Sequence, residues 1–572
     1  MKLSGAQILL ESLVREGVEV IFGFPGGTVL PLYDVLPQYP QIRHILVRHE
    51  QAAAHAADAY ARVTGKVGVC LATSGPGACN LVTGIANAHL DSSPIVAITG
   101  QVARAFIGKD AFQEVDITGI TVPITKHSYL VLRADEIAVA VKEAFHIAGS
   151  GRPGPVLIDI PRDVFVEEAT FHYPEHVELR GYKPTVKGHM AQVKKAAKAI
   201  HESKKPVILS GRGVIISGAF EEVRELAEKA TIPVITTLLG ISSFPEDHEL
   251  SLGMLGMHGT AYANLAVDGA DLVIAIGMRF DDRATGKVSG FAPHAQVIHI
   301  DIDPAEIGKN VRVAVPIVGD VKNVLRALNK QVEPQKRDDW IERIKRWRQE
   351  HPSSIGRGGK GIQPQYVVNK ICEVTGGNAI IVTGVGQHQM WAAQHFCYTK
   401  PNSLISSGGL GTMGFELPAA MGAKVGRPED TVWAIAGDGG FQMTIQELAT
   451  LVQDGIAVKI AILNNGFLGM VRQWQELFYE RRYVATPLSS PDYVKIAEAY
   501  GMPGVRVTAK PQVGPTIQKA MEHEGPFLID FAVEPEENVY PMVAPGSSLS
   551  EIIEHPDNKV VVKAKPRETS NL

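Results

Sequence analysis

Cysteine is scarce in this chain of 572 residues. Its four cysteines, Cys70, Cys79, Cys372 and Cys397, are too scattered for a disulfide scaffold or a zinc knuckle. Aromatic residues make up only 6%. No uninterrupted apolar run approaches the ~20 residues that cross a bilayer. A surplus of one charge is also missing: 56 lysines and arginines stand against 61 aspartates and glutamates, a formal net charge of −5. Without a basic block, neither nucleic acid nor an anionic membrane is expected as a partner. The opening MKLSGAQILLESLVREGVEV does not read as a secretory leader, because Glu11, Arg15 and Glu16 interrupt any apolar stretch. It predicts a helix capped by Ser4 and Gln7, with Leu9, Leu10, Leu13 and Val14 along one side. A cytoplasmic, soluble protein of several domains is expected.

Short β-branched runs alternating with helical stretches are abundant. Strands are predicted at 18–23, 67–72, 95–99, 156–160, 206–210, 234–237, 272–277, 297–301, 379–383, 432–436, 459–463 and 527–531. Continuous apolar strands separated by helices mark parallel sheets covered on both faces. The fold class is therefore α/β, with three doubly wound domains and mainly parallel sheets. Polar residues around 170–186 and the Gly/Ser/Pro-rich run 350–363 read as linkers. The domains then fall near 1–185, 190–345 and 362–545, followed by a polar tail, 546–572. Segments 74–101 and 407–440 each place a Gly-rich turn before a helix and a strand ending in Gly, a faint repeat relating the first and third domains.

Chemistry concentrates in the third domain. Strand 432–436 ends in Gly437-Asp438-Gly439-Gly440, a helix is expected over 444–453, and strand 459–463 ends in Asn464-Asn465-Gly466. Such a unit has parallel strands and a right-handed crossover, so Asp438 and Asn465 emerge at one carboxyl edge, where open α/β sheets bind ligands. A carboxylate, an amide oxygen and a backbone carbonyl beyond Asn465 suit Mg²⁺ completed by phosphate and water. Gly437, Gly439 and Gly440 let a diphosphate approach the backbone. Either polar residue alone is an ordinary turn residue; together at one glycine-rich edge they point to a metal site.

GDGG…NN resembles the metal–diphosphate motif of thiamine diphosphate enzymes. The collinear segments FGFPGG (22–27), RHEQAAAHAADAYAR (48–62), TSGPGACN (73–80), GKDAFQEVD (108–116), GRPGPVLIDIPRDV (151–164), MLGMHG (254–259), RFDDRATGK (279–287), VGQHQMW (385–391), GLGTMGFELPAA (409–420) and GMVRQW (469–474) resemble the catalytic subunit of acetohydroxyacid synthase, also called acetolactate synthase. The resemblance covers roughly residues 4 to 548. It implies pyrimidine-binding, central FAD-binding and diphosphate-binding domains. It also implies a transferase that decarboxylates pyruvate. The two-carbon unit passes to a second pyruvate, giving 2-acetolactate, or to 2-oxobutyrate, giving 2-aceto-2-hydroxybutyrate, at the start of branched-chain amino acid synthesis. Implied cofactors are thiamine diphosphate, Mg²⁺ and FAD, the flavin without a net redox role. Implied partners are a second copy, in a homodimer or homotetramer, and a small regulatory subunit.

Site residues carry over position by position. Asp438, Asn465 and the backbone oxygen of Phe467 resemble the metal ligands. Gln387, His388, Gly411, Met413, Gly439, Gly440, Asn465, Gly469 and Met470 match positions around thiamine diphosphate, with Met413 as the apolar wedge that keeps the cofactor bent. Taken alone, Met413 would be core. Glu50 opens an Ala-rich helix, where a carboxylate also complements the helix dipole. The matching Glu of the family hydrogen-bonds the aminopyrimidine ring and shares a proton with it, and it comes from the other subunit. Gly27, Phe112 and Gln113 match residues beside the reacting centre.

Arg283 matches the residue that holds the second ketoacid's carboxylate, although an Arg in DDR is also an ordinary surface ion pair. Trp474 matches an aromatic that favours 2-oxobutyrate, since an extra methyl gains about 1–3 kcal/mol in an apolar pocket.

In the middle domain an acidic residue at a strand end suits a ribose hydroxyl, yet Gly211-Arg212-Gly213 is followed by Val214, Ile215 and Ile216, so the GxGxxG fingerprint is absent. The resemblance supplies FAD positions at Arg152, Gly211, Gly213, Thr237, Leu238, Leu255, Gly256, Met257, His258, Gly277, Met278 and Arg279. It adds Asp281, Asp301, Ile302, Gly319, Asp320 and Val321. Two departures stand out: Arg162 where the family usually has Lys, and Thr28 where Ala is commoner. The rivals are another FAD-containing thiamine enzyme, of the glyoxylate carboligase or pyruvate oxidase type, and a non-catalytic flavin-binding relative. Glu50 argues against the carboligase, Trp474 and Gln113 against the oxidase, and the intact metal pair together with Glu50 against the last.

Overall fold

Apolar β-branched runs become the inner strands of three six-stranded parallel sheets in the computed structural model, which describes residues 2–352 and 361–554. In space the first sheet runs Arg43–Leu46, Val20–Gly23, Gly68–Ala72, Ile95–Gln101, Val156–Pro161, His127–Leu130. The third runs Leu404–Ser406, Ile380–Thr383, Val432–Gly437, Val458–Asn464, Phe527–Ala532, Gly504–Val507. Numbered by chain order within each sheet, both read 2-1-3-4-6-5. The repeat extends to side chains. Gln101 Nε2 donates to Asp159 in the first sheet, and Asn464 Nδ2 donates to Asp530 at the matching place in the third, both at 3.0 Å.

The middle sheet is wound differently. Its order is Ser251–Met254, Val234–Thr236, Pro206–Ser210, Leu272–Ile276, Gln296–Asp301, Val315–Val318, or 3-2-1-4-5-6. That is the order of dinucleotide-binding sheets, whose ligand lies where the winding reverses.

The first and third domains share one core. Helix Glu50–Thr64 lies against helix Glu416–Gly426, and buried Ala52, Ala53, Ala56, Ala419, Ala420 and Ala423 bring the backbones together. A Cβ on Gly422 would stand 2.0 Å from Ala56 O, so only glycine fits there. Polar ties reinforce the joint: the Glu447 carboxylate accepts the Arg48 amide at 3.0 and 3.2 Å.

The predicted capping box is present at helix Gly5–Arg15, with Leu9, Leu10 and Leu13 fully buried and Val14 half-buried. The stretch expected as one helix over 444–453 begins as a 3-10 turn, Ile445–Glu447, before helix Leu448–Gln453. Residues 171–189 form no helix or strand. Of the second linker, 353–360 lies outside the described residues, as does 555–572 of the tail. The start of the tail is ordered: strand Ile552–Ile553 pairs with Met542–Val543, and Ser547 O accepts the Lys287 amide at 2.9 Å. Among the described residues no helix is long and apolar enough to cross a membrane.

Candidate functional site

Parallel pairing of Val432–Gly437 with Val458–Asn464 sets Gly437 opposite Leu463, so Asp438 and Asn465 leave the sheet side by side. They line one small pocket with Gln387, His388, Met413, Gly439, Gly440, Phe467, Gly469 and Met470. Asp438 is 1% exposed; its carboxyl accepts Ser490 Oγ at 3.0 Å and the amides of Asn465 and Gly466. Burial pushes it up to about 6. Asn465 Nδ2 donates to Gln387 Oε1 at 3.2 Å, and its Oδ1 accepts the Phe467 amide at 3.1 Å. The glycines are cramped: a Cβ on Gly469 would lie 2.1 Å from Gln387 Oε1, and one on Gly439 2.7 Å from Leu468 Cδ2.

These residues fit a metal–diphosphate group. Among the described residues Asp438 has no cationic partner, and the buried His388 Nε2 has no hydrogen-bond partner. Burial lowers His388 to about 3, so the ring is neutral. A buried carboxylate and an orphaned ring nitrogen around a glycine-lined space call for a cation and a hydrogen-bonding ligand.

Val385, Gly386, Met470 and Val471 also line a second cavity of about 1370 Å³, so the two spaces adjoin. Gly411 faces this larger one. Arg283 and Trp474 meet in its wall, the guanidinium 5.7 Å from the ring centroid. Asp282 is 3.8 Å from Arg283, while Asp281 caps the next turn by accepting the amides of Arg283 and Ala284.

The flavin positions gather in the same cavity. Arg152, Gly213, Thr237, Leu238, Leu255, Met257, His258, Gly277, Met278, Arg279, Asp281, Asp301, Ile302, Asp320 and Val321 line it. Gly211, Gly256 and Gly319 do not. Their lack of a side chain serves the chain itself: a Cβ would come within 2.2 Å of Gly277 O, 2.2 Å of Arg283 O and 2.9 Å of Gly188 N respectively. Burial pushes Asp301 up to about 7.

Gly27, Glu50, Phe112 and Gln113 line neither cavity. Glu50 is buried at the start of its helix, Oε2 accepting Asn80 Nδ2 at 2.9 Å. Phe112 is 88% exposed, and Gln113 has φ +59°. Their loop is clasped by Glu114, which accepts the amides of Ala111 at 2.9 Å, Lys109 at 3.3 Å and Gly108. Thr28 does not stand free in a wall. Its hydroxyl is 2.9 Å from Thr73 Oγ1 and accepts the Ser74 amide, tying two turns together. Arg162 is exposed and lines neither cavity.

Three family models match in order: the N-terminal binding domain of thiamine pyrophosphate enzymes at 3–120, their central domain at 193–328, and their C-terminal binding domain at 384–531. The acetolactate synthase large subunit IlvB1 of Mycobacterium tuberculosis is 55% identical over 564 residues, covering 96% of this chain and 91% of that protein. The chain belongs to the acetolactate synthase large subunits. The large subunit of Corynebacterium glutamicum is 52% identical over 563 residues, 96% of this chain and 90% of its own. That of Cyanidium caldarium is 50% identical over 566 residues, 96% of each. Arg212, inside the broken fingerprint, and Ser407, in the SGG turn, also line the larger cavity although neither was a candidate site residue.

Proposed function

We propose that the chain joins two 2-ketoacids with loss of carbon dioxide, forming 2-acetolactate from two pyruvates or 2-aceto-2-hydroxybutyrate from pyruvate and 2-oxobutyrate. The observation that carries this is the continuity of the Asp438 pocket with the Arg283–Trp474 cavity. Thiamine diphosphate, when bound, supplies the electron sink that lets pyruvate lose carbon dioxide and its remaining two carbons add to a second ketone.

The chain's residues hold and orient. Asp438, Asn465 and the Phe467 carbonyl would hold Mg²⁺, a hard-oxygen set. Gly439, Gly440 and Gly469 leave room for the diphosphate, Gln387 and His388 offer polar contacts, and Gly411, Met413 and Met470 give the cofactor its bed. Arg283 would grip the acceptor carboxylate with its planar fork. Trp474 gives the acceptor's extra methyl an apolar wall. Gly27, Phe112 and Gln113 would stand beside the reacting ketone; a Cβ on Gly27 would meet nothing within 4 Å. The middle domain would hold FAD, in keeping with its strand order.

Glu50 would hold the proton shared with the cofactor's aminopyrimidine ring. It does not line the Asp438 pocket of its own chain, which supports a second copy bringing it. Exposed apolar side chains suit that assembly: Phe106, Phe112 and Val122 on the first domain, Met443, Val471 and Val484 on the third. The assembly proposed is a homodimer or a homotetramer. The relatives are named large subunits, which supports a small regulatory partner. A cytoplasmic location fits this chemistry.

The test is incubation of purified protein with pyruvate, thiamine diphosphate, Mg²⁺ and FAD. Acetolactate is expected; none, with or without a small subunit, overturns the proposal.

A further inference from the structure

Ser92 and Ser93 hold two guanidiniums at the wall of the large cavity. Arg152 Nε donates to Ser92 Oγ at 2.9 Å, and Arg212 Nη2 donates to Ser93 Oγ at 3.1 Å. Their charges are balanced differently. Arg152 is neutralised by Asp303 at 3.2 Å and Glu306 at 2.8 Å. Arg212 has no carboxylate within ion-pair distance among the described residues, and its Nε is buried without a hydrogen-bond partner. The nearest acids, Asp58 and Asp91, are already committed to Arg62, at 2.6 and 2.9 Å. Asp91 also accepts the amides of Gly408 and Gly409. Burial, with Arg62 adding repulsion, lowers the Arg212 guanidinium to about 9. An enclosed cation without its own counter-ion calls for an anionic ligand.

Its place in the fold says which anion. Arg212 opens helix Arg212–Ser217, one residue after strand Pro206–Ser210 ends, with Gly211 as the turn between them. The sheet's winding reverses between that strand and Leu272–Ile276, and dinucleotide phosphates lie at this first turn in sheets of that order. The flanking glycines are used by the chain: a Cβ on Gly211 would come within 2.2 Å of Gly277 O, and one on Gly213 within 2.6 Å of Gly277 Cα. They close the turn on Gly277 and leave Arg212 as its only side chain at the cavity.

We propose that Arg212 binds the diphosphate of FAD, neutralising charge in a turn that lacks the glycine fingerprint. The inference rests on the flavin reading of the middle domain. It makes Arg212 a binding residue with no part in the carbon–carbon chemistry.

The test titrates the flavin-stripped full chain with FAD, ADP and riboflavin at low and high salt, for wild type, Arg212→Gln and Arg212→Lys. Arg212→Gln is expected to weaken FAD and ADP by at least ~10-fold, to flatten the salt dependence, and to leave riboflavin unchanged. Arg212→Lys should keep part of the lost affinity. Wild-type affinity for FAD in a folded Arg212→Gln protein, or equal weakening of riboflavin, would overturn the inference. Should Arg212→Gln not fold, Arg212→Lys decides: weaker FAD with unchanged riboflavin supports the contact, and any other pattern overturns it. A wild type that binds thiamine diphosphate and no FAD would instead remove the flavin reading itself.

Discussion

The guanidinium of Arg283 stands over the indole of Trp474, 5.7 Å from its centroid. One comes from the middle domain and the other from helix Gly469–Phe478, so two domains meet at the proposed acceptor site. The surface ion pair with Asp282 is present at 3.8 Å, but both side chains are exposed, so it does little to fix Arg283. Stacking on the indole orients the fork, and its one side-chain hydrogen bond among the described residues is Nη1 to Met257 Sδ at 3.6 Å.

Acceptor choice follows from that pair. Trp474→Leu should lower the ratio of 2-aceto-2-hydroxybutyrate to 2-acetolactate by roughly 10-fold when pyruvate and 2-oxobutyrate compete. An unchanged product ratio would remove Trp474 from the role.

In the proposed assembly Glu50 and Asp438 serve one site from two chains. Glu50→Gln should cut turnover by ~10²–10⁴-fold without altering the melting temperature much. Asp438→Asn should be inactive on its own. Mixing and reassembling the two variants should restore up to about a quarter of wild-type activity, because half the chain pairs are hybrids and each hybrid has one intact site. No recovery from dimers that demonstrably exchange would place Glu50 and Asp438 in the same chain's site.

Stability at the joint depends on a buried ion cluster. Arg62 binds Asp58 at 2.6 Å, Asp91 at 2.9 Å and Ser406 O at 2.8 Å, linking helix Glu50–Thr64 to both domains. Arg62→Ala strands two buried carboxylates and should cost about 3–5 kcal/mol, read as a lower denaturation midpoint. A loss below ~1 kcal/mol would show that water or rearrangement satisfies them.

Asp159 gives a pH signature. Burial pushes its carboxyl up to about 7, between Thr99 Oγ1 at 2.7 Å and Gln101 Nε2 at 3.0 Å. The folded value lies above the unfolded value of ~3.9, so its contribution is complete below that pH and is lost as pH rises toward 7. Asp159→Asn mimics the neutral acid. The variant should melt higher than wild type near pH 8 and alike near pH 4; an equal shift at both would refute the assignment.

Legibility in the sequence followed burial. In the three large sheets every inner strand was readable as an apolar run. The strands that were missed, Arg43–Leu46, His127–Leu130, Ser251–Met254, Val315–Val318, Leu404–Ser406 and Gly504–Val507, are the sheet edges. Edge strands are short and partly exposed, so they carry no continuous hydrophobic signal. GDGG and NN were legible because both sit at tips of central strands, where register forces them together. The dinucleotide-type winding of the middle sheet was not, since strand order is a long-range property and its usual glycine fingerprint lapses at Ile216. Gly211, Gly256 and Gly319 matched flavin positions yet line neither of the two cavities described, because close backbone packing demands glycine there as strictly as a ligand does.

The most direct measurement is the binding of thiamine diphosphate with and without Mg²⁺ to wild type and Asp438→Asn. With Asp438 and Asn465 anchoring the diphosphate through a divalent ion, wild type should bind tightly only when Mg²⁺ is present, and Asp438→Asn should bind weakly in both conditions. Equal, Mg²⁺-independent affinity in the two proteins would contradict the account.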